Sequence, residues 1–290
     1  MESKDCVRDV LLNMKKQERA DYKRNNNVPS ELQEIFEPLW RRKILEWMYS
    51  LVDNGMTPRE TVAVASYFID VSVSKGLVKS KRGYQLVATT ALHISKKLYD
   101  STVVNVEDLI KLCRNLFSEE DIIQMERRMM CALDWKLHPP TPECFLQQQL
   151  LLFPSILSYN TRETLEKASQ LIFEKAAFEE RFAKCYLPST LSYAAIMISM
   201  DLISDRDLPI WQKQCFVMNM MTHAGMKSSS KELRQVILEL KLENGLEARL
   251  ISAIGSQTRG TILGKRSRSL RGNSQSDRSP VDPIHAGQIQ

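Results

Sequence analysis

Ser118-Glu-Glu-Asp121-Ile-Ile-Gln-Met-Glu126-Arg-Arg-Met-Met-Cys-Ala-Leu133 opens with a capping box and then sets Ile122, Met125, Met129 and Leu133 at the period of an amphipathic helix. Glu126 stands inside that apolar stripe. The side chains a helix would place beside it are Ile122, Ile123, Met129 and Met130, with no basic residue at helical spacing. A buried, unpaired carboxylate costs roughly 3–5 kcal/mol. Glu126 must therefore face solvent, meet a cation on another helix, or be held for a partner protein. Lys97 is the candidate cation.

Working outward, helix signals recur and strand signals barely appear, so an all-α fold is expected. Trp40, Ile44, Trp47 and Leu51 form a stripe that closes at Asp53-Asn54-Gly55, where glycine suits a left-handed cap. Thr57-Pro58-Arg59-Glu60 reads as an N-cap, a proline at the first helical position and a capping-box glutamate, followed by Val62, Ala65, Ile69 and Val73. That helix should end near Lys75-Gly76. Gln85 to Ser95 is rich in Ala and Thr and carries no fixed charge, as expected for a helix surrounded by others, and Lys96 and Lys97 fill its last turn. Val106 to Leu116 supplies a fourth helix before the Ser118-capped fifth.

His138-Pro-Pro-Thr-Pro142 then breaks every helical pattern, because each proline removes a donor and biases its predecessor away from α geometry. Thr141-Pro142-Glu143 restarts a helix, and four more are expected at Thr161 to Ala177, Ser189 to Ile203, Pro209 to Ala224 and Ser230 to Glu243. The count of five repeats, again with a small-residue-rich, nearly uncharged middle helix. This suggests duplication of one unit. The expected organisation is a helical extension over 1–25, a first unit over 26–137, a second over 138–254 and a disordered Ser/Arg-rich tail over 255–290.

With 290 residues and 43% of them hydrophobic, the chain can bury two cores of ordinary size. Its six cysteines include no CxxC pair, and Met1-Glu-Ser-Lys-Asp5 lacks the apolar run of a signal peptide, so a reduced, intracellular protein is expected. The longest uncharged apolar stretch, Tyr186 to Met200, falls short of a membrane span and ends at Asp201. The net charge of +5 is modest and helped by the tail, which does not argue for nucleic acid. His93 has no second ligand at metal spacing and reads as a core histidine bonded to a backbone or hydroxyl group. The thirteen methionines read as core filler. No metal, cofactor, membrane or nucleic-acid partner is expected.

Several of these segments together resemble the cyclin family. Trp40-Arg-Arg-Lys-Ile-Leu-Glu-Trp47, Tyr67-Phe-Ile-Asp70, Gln85-Leu-Val87, His93-Ile-Ser-Lys-Lys97, Met125-Glu126, Leu133-Asp-Trp135 and Pro140-Thr-Pro142 follow the order of a cyclin box. Phe178-Glu-Glu-Arg-Phe182, Leu187-Pro-Ser-Thr-Leu191 and Thr222-His-Ala-Gly-Met226 carry a weaker likeness into the second half. The resemblance implies tandem five-helix cyclin boxes and a non-catalytic regulatory subunit that binds and activates a cyclin-dependent protein kinase in cell-cycle control. Counted without gaps, it assigns kinase binding to Lys97 and Glu126, with Lys96 as alternative to Lys97. It assigns a buried ion pair to Arg41 and Asp70, which holds the first two helices of the box. A one-residue gap inside a helix would rotate every later side chain by about 100°.

The family's substrate-docking patch for Arg-x-Leu peptides falls on Trp40, Ile44, Trp47 and Gln85, but Lys43 replaces an aliphatic residue there and disfavours an arginine-bearing ligand. Lys265-Arg-Ser-Arg-Ser-Leu-Arg271 reads as a nuclear-import signal or a soluble tail, which together with the family implies nuclear and cytoplasmic residence. Ser279-Pro280 permits proline-directed phosphorylation, and Arg8-Asp-Val-Leu11 satisfies a minimal degradation pattern. A transcription-type cyclin or a cyclin-fold nucleic-acid-binding transcription factor is the alternative reading. An all-α enzyme stands last, since no nucleophile–base set is evident.

Overall fold

The structure, a computed structural model, describes residues 4–22, 38–55, 57–99 and 106–244. Among them are twelve helices and no strand: α1 Lys4–Ala20, α2 Pro38–Asn54, α3 Glu60–Ser74, α4 Lys81–Tyr99, α5 Val106–Leu112, α6 Glu119–Ala132, α7 Pro142–Leu150, α8 Tyr159–Ala177, α9 Glu180–Cys185, α10 Pro188–Leu202, α11 Ile210–Ala224 and α12 Lys231–Asn244.

The buried apolar side chains form two large clusters. One gathers Met48, Phe68, Val87, Leu92 and Met129 from α2, α3, α4 and α6. The other gathers Phe145, Ile172, Tyr193, Phe216 and Leu240 from α7, α8, α10, α11 and α12, with Phe153 stacked on Phe216 at 4.1 Å between centroids. Burying side chains of this size is worth roughly 1.5–3 kcal/mol each. The uncharged runs of α3, α4 and α10 are buried almost all round, because each packs against several neighbours. A smaller cluster of Leu109, Phe117 and Ile122 seats α5 against α6.

Helix α1 is built into the second cluster rather than appended to it. Val7 and Leu11 are fully buried there. Lys15 Nζ donates to the carbonyl of Ala224 at 2.6 Å, at the C-terminus of α11, while the Glu18 carboxylate accepts from the amide and hydroxyl of Ser189 at 3.0 and 2.6 Å, in the first turn of α10. The cation thus meets the carbonyl end of one helix and the anion the amide end of another, as the helix dipoles favour.

Several local expectations need correction. Helix α3 begins at Glu60, not after a Thr57 cap, because the amides of Thr61 and Val62 bond the carbonyls of Pro58 and Arg59 in a preceding turn. The Glu60 carboxylate instead accepts from Thr141 Oγ1 at 2.5 Å and Cys144 Sγ at 2.9 Å, at the start of α7. Gly55 is not left-handed, whereas Gly76 is, with φ 72°. Helix α5 stops at Leu112 because Arg114 and Asn115 turn to φ 53° and 55°, and the Asn115 amide reaches back to the carbonyl of Ile110. Helix α8 starts earlier than Thr161, since Ser158 accepts from the Thr161 amide as its cap, and the short α9 was not anticipated. His93 is buried, but its Nδ1 has no hydrogen-bond partner. The capping boxes that were read correctly include Ser118 with Asp121, where both reciprocal bonds form, and Thr141 caps α7 through the Cys144 amide.

Candidate partner-binding site

Helix α4 ends with Lys96 and Lys97, and α6 crosses it with Glu126 one turn from the buried Ile122, Met125 and Met129. Lys97 Nζ lies 2.5 Å from Glu126 Oε1. The lysine side chain is 43% exposed and the glutamate 21%. Lys96 turns elsewhere, its Nζ lying 3.8 Å from where a Cβ on Gly55 would stand, toward the α2–α3 turn. An ammonium has three donors and a carboxylate about four acceptor positions, so the pair keeps both kinds of hydrogen-bonding capacity for a partner. One turn before Lys97, burial and the lysine's charge hold the His93 imidazole below its usual pKa, against the opposing pull of Glu126, and so keep it neutral at pH 7.

Aromatic side chains follow the pair in sequence, at the end of α4 and after α6. Tyr99, two residues past Lys97, packs its ring 5.9 Å from that of His138, joining the end of α4 to the chain leaving α6. Between α6 and His138, Asp134 and Trp135 both adopt left-handed backbone, at φ 50° and 59°, and Trp135 is 70% exposed. Two successive non-glycine residues in that region are uncommon. The sequence marks Trp135 only through the family resemblance of Leu133-Asp-Trp135. Its exposure could not be read from sequence, because nothing local demands positive φ at Asp134 and Trp135.

Arg41 and Asp70 meet in a different setting. Arg41 Nη1 lies 2.5 Å from Asp70 Oδ1, Nη2 donates to Ser66 Oγ at 2.8 Å, and Nε donates to the carbonyl of Ala177 at 3.0 Å. The guanidinium is buried. Arg41 therefore ties α2 to α3 and also to the C-terminus of α8. Burial works against its charge and the neighbouring Asp70 favours it, with the balance lying on the raised side. Around it, Arg59 forks onto Glu174 at 2.8 and 2.9 Å, pairs with Asp53 and lies over the Tyr49 ring at 4.5 Å, while Arg42 pairs with Glu179.

Trp40, Ile44 and Trp47 are half-buried along α2 and pack against the first core, with Trp40 6.4 Å from the Tyr84 ring of α4 and Gln85 half-buried beside it. Lys81 Nζ lies 5.3 Å above the Trp40 ring, and Lys43 is exposed. A cleft of about 210 Å³ between α1, α3 and α8 is lined by Tyr22, Arg41, Glu60, Thr141 and Glu143 among others, and the hydrogen bonds of Arg41 and Glu60 are made within the protein. Among the described residues no three His, Cys, Asp or Glu side chains converge as a metal site, and no helix is long and apolar enough to cross a membrane. Leu11 of the Arg8–Leu11 motif is buried in α1. Lys265 to Arg271, Ser279 and the rest of the tail lie outside the described residues.

What this geometry defines first is, among the described residues, an all-α scaffold with two large cores and a half-exposed ion pair. Residues 9–138 match the sequence model of the cyclin N-terminal domain. The chain is 33% identical over 147 residues to the G1/S-specific cyclin CCN1 of Candida albicans, covering 50% of this chain and 21% of that protein. It is 29% identical over 172 residues to Cyclin-B2-2 of Oryza sativa subsp. indica, covering 59% and 39%. Residues 9–138 thus carry a cyclin N-terminal domain. It spans about a fifth to two-fifths of the length of these two relatives. A viral cyclin from herpesvirus saimiri superposes with a TM-score of 0.61 at 16% identity, over 84% of this chain and 99% of that one, which shows a shared fold.

Proposed function

We propose that the chain is the non-catalytic regulatory subunit of a cyclin-dependent protein kinase of the cell cycle. Its first cyclin box, over 26–137, grips the kinase through Lys97 and Glu126, and a second box over 138–254 completes the subunit. The observation that carries this reading is the 2.5 Å pairing of two side chains from separate helices, both still partly open to solvent. On docking, the unused donors of Lys97 and acceptors of Glu126 bond main-chain groups near the kinase's regulatory helix. Trp135 and Tyr99 cover apolar surface around them. The cyclin supplies no reacting group. It binds the active arrangement of the kinase better than the inactive one, so that the regulatory helix moves inward and its glutamate meets the ATP-binding lysine. The population shifts by that difference in binding and by no more.

Arg41 and Asp70 support the site by fixing α2 against α3, and do not themselves touch the kinase. The basic run Lys265 to Arg271 supports residence in nucleus and cytoplasm, and Ser279 is proposed as a phosphorylation site. The test is co-purification of the full chain with each of a panel of cell-cycle kinases, followed by phosphate transfer to a protein substrate. One kinase should be captured and its transfer rate raised. Failure of every member to associate would overturn the reading.

A further inference from the structure

We infer that two copies of this chain pair through the outer face of α11 and the loop beside it, with Trp211 and Met218 as the central contacts. Along α11, Trp211, Gln214, Met218 and Met221 stand at i, i+3, i+7 and i+10 and are all exposed. The opposite face, Gln212, Phe216, Met220 and Ala224, is buried. Three contacts hold the α7–α8 loop and the start of α8 against this helix. Phe153 stacks on Phe216, Asn219 Nδ2 donates to the carbonyl of Leu152 at 2.7 Å, and Thr161 Oγ1 donates to the carbonyl of Asp207 at 3.1 Å, just before α11. Asn219 lies about 80° round the helix from Trp211, so the loop borders the exposed face and adds Ile156 and Tyr159 to it, with Ile210 at the helix start.

Size and charge both point to a second copy as the occupant. Ile156, Tyr159, Ile210, Trp211, Met218 and Met221 are each between 47% and 76% exposed. Side chains of this size at these exposures present on the order of 700 Å². That exceeds the roughly 300–600 Å² of an ordinary monomer's largest apolar patch and approaches the roughly 800 Å² that each partner of a standard interface buries. The face carries no fixed charge. Lys213, the one Lys, Arg, Asp or Glu of α11, is taken by Asp205 and the carbonyl of Ile203, and residues 150–161 contain none. The flanking turns carry Arg162 and Arg206, with Glu163 bonded by Lys167 and Asp207 by Ser204. A strongly charged partner would find no counter-charge on this face. In a two-fold contact each group near the axis meets its own copy, so a charge there would face a like charge, whereas indole, phenol and thioether side chains meet without that penalty.

The experiment is sedimentation velocity of the full chain over a range of concentrations. The mass should move from that of one chain toward that of two, and stop there, as concentration rises from about 1 μM to about 300 μM. Raising salt from about 0.1 M to about 1 M should not weaken the pairing, since no exposed charges hold it. Trp211→Ala should weaken pairing at least about thirtyfold, as truncating a central indole does. Trp211→Glu with Met218→Glu, which sets like charges against each other across the two-fold axis, should abolish it. Both variants should melt with the parent, because the residues replaced are exposed. Leu112→Glu, at an exposed leucine on α5, should pair as the parent does, and so should Lys97→Ala with Glu126→Ala, so this face and the kinase site stand or fail separately. A one-chain mass throughout would overturn the inference and leave the face to another protein. Assembly growing past two chains, or pairing unchanged in both Trp211 variants, would overturn it as well.

Discussion

Replacing Lys97 and Glu126 by alanine should separate folding from function. The two side chains are paired at 2.5 Å but remain 43% and 21% exposed, so solvent screens them and the pair contributes on the order of 0.2–1 kcal/mol to stability. For folded regions of about 150–250 residues, that shifts the melting temperature by at most about 4 °C. In a complex the same groups lose their solvent, and truncating a hydrogen-bonded charge at such an interface costs about 2–5 kcal/mol, roughly 30-fold to several-thousand-fold in affinity. Lys97→Ala, Glu126→Ala and the double variant would be compared with the parent by circular dichroism melting and by titration against the captured kinase. The double variant should melt within a few degrees of the parent and lose capture. Because the two act as a unit, its loss should be smaller than the sum of the single losses. Full-strength capture by the double variant would refute the site. A fall in melting temperature of ten degrees or more would refute the claim that the pair carries little of the fold.

The buried pair should behave in the opposite way. Arg41→Ala takes the guanidinium away from Asp70, Ser66 Oγ and the Ala177 carbonyl and leaves a cavity at the junction of three helices, so a loss of about 3–5 kcal/mol is expected in urea unfolding; a loss under about 1 kcal/mol would contradict it. Glu18 gives a pH test. Burial raises its pKa above the ordinary carboxylate value, despite the bonds from Ser189 and the charges of Arg19 and Lys15. The folded state therefore binds the proton more readily than the unfolded chain, and this contribution is present below the unfolded pKa and lost as pH rises through the folded one. Glu18→Gln, which cannot ionise, should gain stability relative to the parent as pH is raised from about 4 to 7, and a gap between the two that does not change with pH would rule this out.

What the sequence disclosed and what it withheld follow from how local each cause is. Helices α2 to α4, α6 to α8 and α10 to α12 were legible because their stripes and proline breaks act within a few residues. Ser118 and Thr141 bond amides three residues on, and both caps were readable. Glu60 was misread because Thr-Pro-x-Glu has the same local form, while in the fold its carboxylate is drawn to Thr141 and Cys144, more than eighty residues away in sequence. Chain-distant competition of that kind leaves no mark near Glu60. The same holds for Arg114, Asn115, Asp134 and Trp135, whose left-handed backbone carries no glycine to announce it. Asp70 and Glu126, each paired with a base on another helix, were the exception. A carboxylate with no basic residue at helical spacing, as at Asp70 and Glu126, signals that its partner is remote, because burying it alone is too costly.

The two ion pairs nevertheless ask different things of their surroundings. Arg41 is buried and spends four of its five donors on Asp70, Ser66 and Ala177. Its bonds span α2, α3 and α8, so they fix where α2 lies relative to both cores. Lys97 and Glu126 make one bond to each other and face water with the remainder. A binding site needs this second kind of pair, since capacity already spent inside the protein gains nothing from a partner. It also needs the first kind nearby, because α4 can present Lys97 at a fixed place only if the helices packed on it, α2 and α3 among them, do not shift. Loss of Arg41 should therefore reach the Lys97 site indirectly, through the position of α3 beneath α4, while loss of Lys97 should leave Arg41 and its neighbours undisturbed.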